Sequence, residues 1–111
     1  MAYWTTGVGA AYGRIISGRS AKVVAAGTAI QVSTTSVAIA GVWLSGDTEG
    51  AGGALVVGDA NVSAVEGAQQ GIVIIPGNAP IFLPINNLNL LYVDSTANDG
   101  RLCYAYLQPT A

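Results

Sequence analysis

"GIVIIPGNAPIFLPINNLNLLYVDSTANDGRLCYAYL", residues 71–107, contains four apolar runs, at 71–75, 80–83, 90–94 and 101–107, separated by Pro, Gly, Asn and Asp. Short runs of this kind, rich in Val, Ile, Leu and Tyr with turn-forming residues at each break, read as β-strands. Pro76-Gly77-Asn78 stands between the first two runs. Proline holds φ near −65° and glycine accepts positive φ, so a tight chain reversal is expected there. Asn98-Asp99-Gly100 stands between the last two. Asp-Gly favours a two-residue hairpin, because the preferred turn puts both central residues at positive φ.

The same rhythm extends toward the N-terminus, with apolar runs at 22–26, 28–33, 37–44 and 54–57. About eight short strands at spacings of roughly 8–12 residues are the pattern of a sandwich or barrel. The expected fold is therefore all-β, a sandwich or barrel over residues 21–111, preceded by an N-terminal arm over residues 1–20. "GDTEGAGG", residues 46–53, is too glycine-rich for a strand and reads as an exposed loop. "NVSAVEGAQQ", residues 61–70, offers one helical turn at most, since Gly67 opposes a longer one. No internal repeat and no linker divides the 111 residues, so one domain is expected.

The last run raises the question of assembly. Alternation puts Leu102, Tyr104 and Tyr106 on one face and Cys103, Ala105 and Leu107 on the other, and neither set is polar. A strand apolar on both faces is central in a core or covered by a neighbouring subunit. A small sandwich has one core, so the second face points to assembly. The first segment, "MAYWTTGVGAAYGRIISGRS", carries aromatic and Arg side chains, the types enriched at interface anchors. The candidate interface residues are thus Tyr3, Trp4, Tyr12, Arg14, Arg19, Tyr104 and Tyr106.

Composition supports a docking role. Hydrophobic residues make up 51% of the chain and charged residues only 9%, against about 25% charged in an ordinary domain. Such a chain is short of material to coat a free surface, so another protein is expected to cover part of it. Charge is also unevenly laid out: Arg14, Arg19 and Lys22 precede every acid, whereas residues 47–111 carry all six acids and Arg101. A basic N-terminal segment on an acidic body suits an arm that binds something acidic.

Reaction chemistry finds little purchase. Histidine is absent and Lys22 is the single lysine, so no obvious pair of proton-handling groups stands out. Asp47 and Glu49 lie in the glycine-rich loop, Asp59 in "VGDANVS" suits an Asx turn, and Asp94 and Asp99 flank the last turn. A zinc site would need imidazoles or several thiols, and "GDTEG" lacks the spacing of a calcium loop. "GVGAAYGR", residues 7–14, departs from the dinucleotide fingerprint at Tyr12 and has no strand before it. Four basic residues are too few for a nucleic-acid face. No apolar run is long enough to span a membrane and the first residues lack a signal-peptide pattern. Cys103 has no partner for an intrachain disulfide and reads as a small buried hydrophobe. The expectation is a non-enzymatic protein without cofactor or metal.

Residues 56–107 resemble small virion proteins of tailed bacteriophages, above all through "VGDANVSAVEG" at 57–67, "NNLNLLYVD" at 86–94 and "GRLCYAYL" at 100–107; "GTAIQVSTTSVAIAGVWL" at 27–44 fits the same pattern. These segments look like those of capsid decoration (cement) proteins or of the β-rich domains of head and tail fibres. The resemblance implies a jelly-roll-like antiparallel β-sandwich that assembles as a dimer or trimer, made in the host cytoplasm and carried on the capsid exterior, with the major capsid protein as partner. An alternative within the resemblance is a fibre or tail-tip domain that reads a host glycan or surface protein through Trp43, Tyr92 or the loop at 46–53.

Overall fold

The structure is a computed structural model, described here for residues 14–48 and 53–108. Eight strands are present: β1 (Arg14–Arg19), β2 (Ile30–Gln31), β3 (Val42–Gly46), β4 (Leu55–Gly58), β5 (Ile72–Ile74), β6 (Ile81–Leu83), β7 (Tyr92–Ser95) and β8 (Leu102–Gln108). Among the described residues a single 3-10 turn, Leu88–Leu90, sits between β6 and β7. The strands form two four-stranded antiparallel sheets, ordered β1-β8-β3-β6 and β2-β7-β4-β5. The all-β expectation holds.

The pairing is nested. β1 pairs with β8, β2 with β7, β3 with β6 and β4 with β5, so the chain is one long hairpin with its tip between β4 and β5. Wrapping that hairpin adds β3·β8 and β4·β7 and closes both sheets, a jelly-roll-like winding. Between the sheets lie Val23, Val42, Leu44, Leu55, Val57, Val93 and Leu102, each at most 2% exposed. Burial of such side chains stabilises by about 1.5–3 kcal/mol each relative to leaving them in water.

Local chemistry explains some connections and overrules others. The reversal expected at Pro76-Gly77-Asn78 is present: Asn78 N–H donates to the Ile75 carbonyl at 3.0 Å and Gly77 has φ +89°, as a type II turn requires. It carries the chain from one sheet to the other. The hairpin expected at Asn98-Asp99-Gly100 is not formed, because β7 and β8 belong to different sheets. Asp99 does adopt φ +64°, but this segment pairs with Val23: Val23 N–H donates to the Gly100 carbonyl at 2.7 Å, and Asp99 N–H donates to the Val23 carbonyl at 2.7 Å. Gly100 is needed for space, since a Cβ there would lie 2.2 Å from the Ser95 hydroxyl oxygen.

Two expected boundaries change. The run at 22–26 contributes only the isolated bridge of Val23 to Gly100. The arm expected over 1–20 supplies, in its last part, edge strand β1, paired with β8 over six residues. The remaining arm residues, with Tyr3, Trp4 and Tyr12, lie outside the described residues. Residues 61–70 form no helical turn; Ser63 and Gln70 exchange backbone hydrogen bonds at 2.9 and 3.1 Å, so the segment folds back on itself.

Candidate docking face

The two sheets treat their outer faces differently. On the second sheet, Val56 of β4 points away from the main core yet is fully buried, because Val62 and Ala64 of the 59–71 connection close over it, with Ala29 and Tyr92 packed alongside. This connection is held down by a buried carboxylate. Asp94 of β7 is inaccessible to solvent; its Oδ1 accepts from Gly27 N–H at 3.0 Å and Ser95 N–H at 2.8 Å, and its Oδ2 accepts from Ala64 N–H at 2.7 Å. Both oxygens are occupied by backbone donors, so Asp94 anchors three segments rather than serving as a turn residue or proton carrier. Asp59 does form the expected Asx turn, its Oδ1 accepting from Asn61 N–H at 3.0 Å.

The first sheet has no such cover among the described residues. Alternation along β8 turns Leu102, Tyr104 and Tyr106 inward and Cys103, Ala105 and Leu107 outward, and the register extends each outward residue into a row. One row is Ile15–Leu107 and the next is Ser17–Ala105–Trp43–Phe82. Ile15 is 68% exposed, Trp43 51%, Leu107 50% and Phe82 45%. The indole of Trp43 and the ring of Phe82 lie 5.1 Å apart, tilted by 53°, within the range of favourable aromatic pairs. Gly41, at φ +98°, lies directly beneath Phe82, where a Cβ would come within 2.3 Å of the ring. A shallow depression of about 210 Å³ runs between these side chains. Charge enters only at the margin, as Arg19 in the row Arg19–Cys103–Ser45. An apolar, aromatic centre bounded by Ser and Arg has the anatomy of a protein–protein interface.

Of the candidate residues from the sequence, Arg14 and Arg19 are exposed on β1, and Arg14 donates to the Gln108 side-chain oxygen at 3.3 Å. Tyr104 and Tyr106 are a correction: both turn into the sandwich, Tyr106 to 8% exposure, and their rings stack at 6.2 Å. They support the face from behind. Cys103, expected inside, is half-buried on the outer side of β8. Ile15 and Phe82 were not singled out in the sequence; only the register of four strands brings them to Trp43. Tyr92, a candidate for glycan reading, is half-buried against the Val56 cluster. Among the described residues no three metal-ligating side chains cluster, and no helix is long and apolar enough to cross a membrane.

Burial first, and then the neighbouring Tyr106, push the Tyr104 phenol above its ordinary value of 10.0. A group whose folded value is raised adds stability that is complete below the unfolded value and disappears as pH rises through the folded one. The contribution of this phenol is accordingly expected to be lost above about pH 10, with late phenolate absorbance that Tyr104→Phe removes; an absorbance titration of both proteins, run alongside thermal melts, checks this.

No family model, no curated protein and no solved structure matches the chain.

Proposed function

We propose that this protein is a structural virion component that decorates and cements a bacteriophage capsid, docking between neighbouring major capsid proteins on the shell exterior as a dimer or trimer. The observation that supports the reading most is the apolar face of the first sheet, centred on Trp43 and Phe82, that no described residue covers. A cement protein works by surface alone. Whatever binds only the assembled shell stabilises it by mass action, and many copies turn a modest contact into a large total effect. The segments resembling virion proteins include three of the four strands that carry this face, with Trp43 at the end of 27–44 and Phe82, Ala105 and Leu107 within 56–107.

The test is co-sedimentation with capsids assembled from the virion's own major capsid protein. The wild-type chain is expected to saturate them at a fixed stoichiometry and to raise the temperature at which they break open. Trp43→Glu puts a carboxylate on an exposed position, so the fold is retained, and it is expected to weaken occupancy about thirtyfold or more, as loss of an aromatic hot spot does. Undiminished occupancy by that variant would remove the face from the docking role. Binding to host cells, with capsid stability unchanged, would favour the fibre or tail-tip alternative.

A further inference from the structure

The two sheets have four edge strands, and three are blunted. β2 is two residues long, β5 is three, and β6 is three and lies between Pro80 and Pro84. Short edges and flanking prolines are how sheets avoid unwanted pairing. β1 differs: it has six residues, no proline and, among the described residues, a partner on one side only. Ser20 N–H donates to the Leu102 carbonyl at 2.8 Å. Backbone direction alternates along a strand, so Gly18 and Ile16 also face β8, while Ile15, Ser17 and Arg19 turn N–H and C=O groups to the open side.

Charge narrows what can pair there. Arg14 and Arg19 stand exposed at the two ends of β1. A second copy laid antiparallel over the strand can pair only in the register that brings residues 15, 17 and 19 of both strands together, which sets Ser17 opposite Ser17 and Arg19 opposite Ile15, so neither arginine meets a carboxylate. A strand with carboxylates opposite Arg14 and Arg19 would gain two cross-strand ion pairs instead. Its outward side chains would cover Ile15 and prolong the apolar rows toward Ser17.

We propose that the β1 edge accepts an antiparallel β-strand from a different protein, with acidic residues opposite Arg14 and Arg19 and an apolar residue beside Ile15. The inference rests on the docking reading and specifies the partner's chemistry. The added strand extends the first sheet to five strands and makes the exposed face continuous with the partner.

Isotope-labelled full-length chain is titrated with the blocked peptide Glu-Thr-Val-Thr-Val-Glu, or with the same peptide ending in Lys at both sides, and followed by NMR. The Glu-ended peptide is expected to slow amide exchange at Ile15, Ser17 and Arg19, with about tenfold preference over the Lys-ended one. Ser17→Pro removes an N–H that no ladder bond uses, so it is expected to abolish the effect while the remaining spectrum stays native. Arg14→Glu combined with Arg19→Glu is expected to reverse the preference. Equal binding of both peptides, no binding of either, or perturbation confined to Trp43 and Phe82 would overturn the proposal. So would slowed exchange at Ile15 and Ser17 that grows with protein concentration alone, since a second copy would then occupy the edge. The Trp43→Glu capsid experiment is independent, so the docking reading can stand or fall apart from this edge.

Discussion

Asp94→Ala is expected to destabilise the folded protein by about 3–5 kcal/mol, the range found when a buried hydrogen-bonded network loses its acceptor. The carboxylate is fully buried and accepts from three backbone N–H groups, those of Gly27, Ala64 and Ser95. Alanine leaves the Ala64 and Ser95 N–H groups without an acceptor, and Gly27 N–H with only its longer bond to the Ser95 carbonyl at 3.3 Å, in a space that also closes over Val56. Asp94→Asn keeps the shape and one oxygen. Its amide nitrogen would face Ala64 N–H, donor to donor, or after a flip would face the other two. The asparagine variant should therefore lose about half as much. Urea titration of the three proteins gives the ranking. If alanine costs under about 1 kcal/mol, the anchor is redundant and the 59–71 connection is held by its apolar contacts alone. An unfolded Asp94→Ala protein still leaves the asparagine variant to be measured.

Gly71→Ala is the second large effect, expected at about 2–4 kcal/mol. Gly71 has φ +128°, and a Cβ built there would sit 2.7 Å from the Val57 carbonyl oxygen and 2.8 Å from Val56 and Val62 side-chain carbons. Backbone conformation and crowding thus act together. Gly67 separates them, because its φ is +84° and nothing lies within 4 Å. Gly67→Ala should cost about 1–2 kcal/mol, the conformational part alone. Matching losses at the two sites by chemical denaturation would contradict the tight approach of Gly71 to β4.

Most of the strands were legible because hydrophobic runs and punctuation are local signals. β4, β5, β6, β7 and β8 fall within a residue or two of the runs at 54–57, 71–75, 80–83, 90–94 and 101–107. β1 was not, for a physical reason: "RIISGR" has neither clean alternation nor a turn signal, and its strand state comes from six residues of pairing with β8. Gly18 belongs to that pairing, lying opposite Tyr104 with the phenol ring where a side chain would be. The run at 22–26 shows the converse, a β-like pattern in which only Val23 finds a partner.

The candidate face was half legible. The two apolar sides of β8 could be read from alternation, and they correctly raised the question of what covers the second one. Which side faces outward could not be read, since Tyr104 and Tyr106 are as apolar as their alternatives and only the packing of two sheets decides between them. The row from Ser17 to Ala105, Trp43 and Phe82 joins residues far apart in the chain. Asp94 was taken for a turn group because it ends an apolar run; of its three donors Ser95 is the next residue, while Gly27 and Ala64 come from segments that no local pattern links to it.

The nested pairing carries a consequence for biosynthesis. The tip between β4 and β5 is the most local contact, and each outer pair closes a longer loop, so entropy favours zipping from the middle toward the ends. β8 is an inner strand of the first sheet, flanked by β1 and β3, and it is the last of the described strands. A ribosome-bound intermediate can complete much of the second sheet, but the first sheet waits for β8 to emerge. The outer row of Ser17, Ala105, Trp43 and Phe82 is therefore complete only after the second sheet has formed, so shorter nascent chains lack it.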